Sequence, residues 1–148
     1  MARRVFFSFH YQNDVWRVNQ IRNIPTITGS AAAGFQDASL WEEAKTKGEA
    51  AVKKLIDDGL KNTSVTVVFI GAETAGRKYI NYEIEKSIER GNGLVGIQIH
   101  HLEDHNGERD GVGKTPAKLS AAGAKIYKYV SKEKLAERIE EAATAAGK

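Results

Sequence analysis

Ser64-Val65-Thr66-Val67-Val68-Phe69-Ile70-Gly71 is the stretch on which the fold turns. Its near-continuous branched and aromatic content is what a central parallel strand requires, because such a strand is covered on both faces and meets no water. Upstream, Val5-Phe6-Phe7-Ser8-Phe9 has the same character and reads as a buried first strand. Downstream, Leu94-Val95-Gly96-Ile97-Gln98-Ile99 is a further buried strand, and Ala124 to Val130 alternates as an edge strand does. Phe35-Gln36-Asp37-Ala38 is a weaker, extended segment that completes the set as the second strand in chain order.

Helical patterns separate these runs. Asn13 or Asp14 is positioned to cap a helix beginning near Val15, which carries Val15, Val18, Ile21 and Arg22 and ends before Pro25. Residues 25–34 are a connection of small residues. Ser39-Leu40-Trp41-Glu42 matches the capping box, in which hydroxyl and carboxylate satisfy free helix-end N–H groups. The helix it opens is expected to reach Leu60, with Ala44, Ala51, Val52, Leu55 and Ile56 inward and Gly59 helping to stop it. Ala72 to Arg77 is a loop into a third helix, ended by Gly91-Asn92-Gly93. Residues 103–118 read as a polar surface loop, and Ser131 caps a last helix with Leu135, Ile139 and Ala143 on one face.

Strands alternating with helices predict an α/β fold: a flavodoxin-like, doubly wound parallel five-stranded sheet of order 2-1-3-4-5 with helices on both faces. Ligands of such sheets bind beyond the carboxyl ends of the strands where the order reverses, here between the first and third strands. Ser8, Phe9, His10 and Tyr11 are therefore expected to converge with Gly71 to Lys78.

The helix after the third strand carries one carboxylate in an unusual place. Counting about 100° per residue from Ile80, Ile84 falls near 40° and Ile88 near 80°, which defines the buried stripe. Glu85 and Glu89 fall near 140° and 180° and face away, whereas Glu83 falls near 300°, beside the stripe. A boundary glutamate on an amphipathic helix is the plain reading. A half-buried carboxylate near strand ends is also where an α/β protein places catalytic groups.

The totals exclude several classes. Lys plus Arg number 22 against 19 for Asp plus Glu, a net charge of +3 with no basic stripe, so no nucleic-acid partner is expected. There is no cysteine, which removes thiol nucleophiles and zinc-thiolate sites and suits a reducing compartment. No apolar run approaches the ~20 residues that span a bilayer, and Met1 to Arg4 does not open a signal peptide. The expectation is one cytoplasmic domain over residues 1–148, with no membrane partner.

Three motifs fall short. Gly111-Val112-Gly113-Lys114-Thr115 lacks the earlier glycine of a P-loop, since that position is Glu108, and Pro116 sits where the helix should begin. His100, His101 and His105 match no zinc spacing, and neighbours on a strand point to opposite faces, so no metal is expected. Ser8 and His10 share a face, but there is no nucleophile elbow, so they read as cleft-lining polar residues or as a strand leaving the core. Trp41 reads first as packing, and Arg77 and Lys78 as either solvated bases or phosphate contacts at a helix start.

Three ordered blocks carry a resemblance: Arg4 to Tyr11, Asp37-Ala38-Ser39-Leu40-Trp41-Glu42, and Tyr79-Ile80-Asn81-Tyr82-Glu83 continuing to Asn92. Together they resemble the TIR-like family, and within it the TIR proteins of bacterial Thoeris anti-phage defence. The resemblance implies a flavodoxin-like TIR fold and an NAD+ nucleosidase or ADP-ribosyl cyclase activity, with NAD+ as substrate and no cofactor. The product would be a cyclic or modified ADP-ribose, a diffusible nucleotide signal reaching a separate downstream effector. The family's catalytic glutamate, in a W-x-x-x-E-like pattern, maps onto Glu83, with Tyr79 at the aromatic position. Ser8, Phe9, His10, Asp37, Thr74 and Tyr82 become the candidate substrate-site residues. The 25–34 segment is a candidate for gating or for self-association into a homo-oligomer. A non-catalytic TIR scaffold stands as the alternative, since fold does not fix function. A phosphate-sensing domain of the response-regulator type finds only Asp14 of the acidic cluster it needs.

Overall fold

β2 (Val65–Ile70) is buried along its whole length and lies between two parallel neighbours, β1 (Val5–Ser8) and β3 (Gly93–Gln98). β3 in turn pairs in parallel with β4 (Lys125–Lys128), whose half-exposed pattern marks it as an edge. The structure is a computed structural model that describes residues 4–21 and 44–148. Within it the sheet is parallel, four-stranded and ordered β1-β2-β3-β4. These are the first, third, fourth and fifth strands expected from the sequence. The expected second strand at 35–38 lies outside the described residues, as do the 25–34 segment, the Ser39 capping box and Trp41. The α/β class and the parallel sheet therefore stand, while the five-strand count and the order 2-1-3-4-5 find only their four described members.

Because side chains alternate along a strand, each strand sends one set to each face. Val5, Phe7, Val65, Val67, Phe69, Val95 and Ile97 point to one face. Val18 and Ile21 at the end of α1 (Tyr11–Asn19) and beyond it, and Leu135, Ile139 and Ala143 of α5 (Lys132–Ala145), close over them. The opposite face carries Phe6 and Ser8, then Thr66, Val68 and Ile70. It is covered by α2 (Glu49–Leu60), α3 (Lys78–Glu89) and α4 (Ala117–Ala121). Helices thus lie on both faces, as the alternation of patterns requires.

Several boundaries differ from expectation for local reasons. α1 begins at Tyr11, so Asn13 and Asp14 lie inside it rather than capping it, and His10 is the N-cap residue with no side-chain cap bond. Helical residues 44–47 are separated from α2 by Gly48, whose φ of 108° only glycine adopts readily. Gly59 is buried within α2, and the chain reverses instead at Asn62, with φ of 64°. Ile88 is 47% exposed and so lies off the buried stripe that Ile80 and Ile84 begin. The short helix α4 interrupts the end of the expected 103–118 loop. Ser131 caps α5 as expected, accepting from the Lys134 N–H at 3.1 Å.

Candidate active site

α3 presents Ile80, Glu83, Ile84 and Ser87 to the sheet. The two isoleucines pack with Val68, Ile70 and Leu119, which holds the helix over β2. Glu83 is only 5% exposed. Ser8, the last residue of β1 and opposite Val68 in register, points to the same face. Its hydroxyl donates to Glu83 Oε1 at 2.6 Å. This is the short length of a charge-assisted bond.

Burial pushes the Glu83 carboxyl up to about 8, because the charged form loses its water, and the Ser8 hydrogen bond opposes that rise. One turn further on, the Ser87 hydroxyl donates to the Glu83 carbonyl at 2.7 Å and lies 2.7 Å from Thr66 Oγ1. Asn92 Nδ2 donates to Thr63 Oγ1 at 2.9 Å and to Thr66 Oγ1 at 3.3 Å. A polar seam thus ties α3 to β2 and fixes where Glu83 stands.

His10 is half-buried at the start of α1. Burial holds it below the usual histidine range, Arg77 and Lys45 push the same way, and Glu73 opposes them. His10 follows β1 and the 71–77 loop follows β2, so both lie at the carboxyl end of the sheet, where Ser8 ends β1 and meets Glu83.

Other candidates sit elsewhere. Phe9 alternates to the far face and packs in the core with Val5 and Phe7, so its ring does not share the Glu83 side. Thr74 is buried, and its Oγ1 accepts from the Gly71 N–H at 2.8 Å, which shapes the loop from within. The Tyr82 hydroxyl donates to Asp57 at 2.8 and 3.0 Å, toward α2 and away from Ser8. Its burial and Asp57 push it up to about 12. Asp37 lies outside the described residues. Glu85 pairs with Lys118 at 2.7 Å and Glu89 with Lys86 at 3.6 Å, both carboxylates at the surface as the helical wheel predicts.

The sequence reading missed a second buried ionic group. Arg17 is buried and donates through Nε to the Leu102 carbonyl at 2.8 Å and through Nη2 to the Glu108 carbonyl at 3.1 Å. Its Nη1 lies 3.1 Å from Asp14 and 3.1 Å from Asp110. Asn13 joins by donating to Asp110 at 2.9 Å. Burial pushes Asp14 up to about 6 despite Arg17. A β-carbon at Gly71 would collide with the Asp14 carboxyl, and one at Gly113 with the Gly71 carbonyl. The segments that follow β1, β2 and β3 are thus in close contact there. The one available signal was the i,i+3 spacing of Asp14 and Arg17, because the remaining partners lie far along the chain.

The P-loop-like stretch lacks the long helix that such a motif leads into. Gly113 is pressed against Gly71, and Pro116 precedes the five-residue α4, so no phosphate-binding helix start follows Lys114. His100 and His101 lie beyond β3 in a turn with ring centroids 5.3 Å apart, which corrects the expectation that they diverge. His101 Nε2 lies 2.8 Å from the Tyr129 carbonyl. Among the described residues, no cluster of three or more His, Asp or Glu is arranged to hold a metal ion. No described helix is long and apolar enough to cross a membrane.

A parallel α/β sheet with a buried glutamate on the helix after its central strand fits a TIR-like protein. The family described as Thoeris protein ThsB, TIR-like domain, matches residues 6–104, more than half of the chain, and the chain belongs to it. A curated protein of Bacillus cereus (strain MSX-D12), named "Putative cyclic ADP-D-ribose synthase ThsB1", is 51% identical over 136 residues, covering 87% of this chain and 71% of the relative. The matched span contains Ser8, His10 and Glu83.

Proposed function

We propose that this protein is an NAD+-processing TIR enzyme that breaks the nicotinamide–ribose bond and converts the remainder to a cyclic or otherwise modified ADP-ribose. The observation that carries the reading is the Ser8–Glu83 pair: a buried carboxyl held by one short hydrogen bond at the sheet's ligand-binding end. The name of the Bacillus cereus relative supports the same substrate class.

The chemistry needs one anion. As nicotinamide leaves with the bonding electron pair, positive charge develops on the ribose C1′ and ring oxygen. A fixed carboxylate stabilises that charge, as in glycoside cleavage. The cationic nicotinamide ring of NAD+ also favours ionised Glu83, so substrate binding draws the proton off the carboxyl. Capture by an internal nucleophile of the ADP-ribose, with loss of a proton, closes a ring, whereas capture by water gives ADP-ribose. The low exposure of Glu83 favours the internal route because it restricts water. The product then serves as the diffusible signal to a separate effector. Asp37 is retained as a substrate-site residue of this reading.

One observation favours the scaffold alternative. A carboxyl this deeply buried and held neutral near pH 7 also suits a purely structural glutamate. Incubation with NAD+ and mass spectrometry of the products, beside Glu83→Gln, separates the two. Catalysis predicts nicotinamide release by the wild type, falling by about 10²–10³ or more in the Gln variant with the fold intact. An inert wild type, with and without infected-cell lysate, or an active Gln variant, overturns the assignment.

A further inference from the structure

Ser8 is fully buried, and its position is set twice over. Its register opposite Val68 holds the backbone, and Phe7 and Phe9 packing on the other face leaves its hydroxyl only the α3 side. α3 is held independently, by Ile80 and Ile84 in the core and by the Ser87–Thr66 contact. The Ser8–Glu83 bond therefore joins two rigid elements, and among the described residues it is the one hydrogen bond of the Glu83 carboxyl.

We propose that Ser8 is the positioning residue of Glu83, holding Oε1 so that Oε2 is the oxygen turned toward the ribose that loses its base. This deepens the substrate-binding role expected for Ser8 and rests on the NAD+ reading for the identity of the sugar. A hydroxyl suits the task because it donates to a carboxylate and, once rotated, accepts from a carboxylic acid. The carboxyl thus keeps its place when it gives up its proton. An alanine there leaves Glu83 without that donor, and a donor to the charged form is what favours ionisation in a buried site. Ser8 does not act as a nucleophile in this scheme, because its oxygen is already engaged with the carboxyl.

The test reads Glu83 directly. The side-chain carboxyl is titrated by carbon-13 NMR in the full chain without NAD+, for wild type, Ser8→Ala and Ser8→Cys. The pH profile of nicotinamide release is recorded alongside. The expected result is a Glu83 midpoint raised by about one pH unit in Ser8→Ala, from the loss of a hydrogen bond to a charged group. The near-isosteric Ser8→Cys, a weaker donor, falls between, and it carries the test if Ser8→Ala does not fold. The activity profile should move to higher pH by the same amount, with kcat reduced more than KM is raised. Unchanged midpoints in the folded variants overturn the proposal, even if Glu83→Gln abolishes NAD+ cleavage. Shifted midpoints in a protein that never releases nicotinamide uphold the Ser8–Glu83 coupling and overturn the NAD+ reading instead.

Discussion

The two faces of the sheet are buried alike and differ in chemistry. On the α1 and α5 side the strands contribute apolar side chains, Phe7 meeting Phe69 edge-on with centroids 4.9 Å apart, and the buried ions, Asp14 and Arg17, come from α1. On the α2 and α3 side, apolar residues such as Phe6, Ile56, Ile80 and Ile84 surround Ser8, Thr66, Glu83, Ser87 and Asn92. Burying polar groups is unfavourable unless they are paired. The seam of hydroxyls and the Asn92 amide nitrogen pairs most of them, but it does not remove the unfavourable burial of an ionised Glu83. The strands of the first face contribute to cohesion only, its ionic groups being confined to the Asp14–Arg17 cluster of α1. The second gives up some cohesion to hold one carboxyl still.

Substitutions can break this contrast. The largest stability effect is expected on the apolar face: Phe69→Ala should lose roughly 3–5 kcal/mol in urea unfolding, because the ring is fully buried. Glu83→Gln on the other face should lose almost none. A comparable loss at both sites would mean that Glu83 is a structural residue.

The next effect is in pH. Glu83 titrates near 8 in the folded protein against an ordinary 4.5, so the folded state holds a proton that the unfolded chain has released across that interval. Stability from this group is full below 4.5 and is lost as pH rises through 8. The wild-type Tm should therefore fall by several degrees relative to Glu83→Gln between pH 5 and 9. Asp14, pushed up to about 6, adds a slope at lower pH that both proteins share and that cancels in the difference. Parallel Tm curves would contradict the buried-carboxyl assignment.

The smallest effect sharpens the contrast within α3 itself. Glu85 and Glu89 are 50% and 64% exposed. Glu85→Gln and Glu89→Gln should each change stability by less than about 0.5 kcal/mol and leave nicotinamide release within twofold. A large loss at either would move the active carboxylate away from Glu83.

Much of the site was legible because it depends on periodicity. Ile80 and Ile84 set a stripe that placed Glu83 inward and Glu85 and Glu89 outward, and an α/β pattern places that helix at the strand ends. Ser8 followed from its position at the end of β1. The wheel failed at Ile88, which lies where α3 runs past its cover and into solvent. The wheel says nothing of Phe9 and Tyr82, which the resemblance offered as substrate-site residues, because nearness along the chain to a site residue does not fix the face. Phe9 alternates to the other side of the sheet, and Tyr82 turns to Asp57.

By itself, the sequence determined the alternation of the four described strands with the longer helices, the parallel sheet, and the side of α3 on which Glu83 lies. These follow from local patterns of period two and 3.6, which survive in one dimension. Only the tertiary structure decided that Ser8 meets Glu83 at 2.6 Å and that Arg17 binds carbonyls at Leu102 and Glu108. Ser8 and Glu83 are 75 positions apart, and the Arg17 contacts span 85 and 91. At such separations no local propensity links the partners, and only the packing of whole elements brings them within reach.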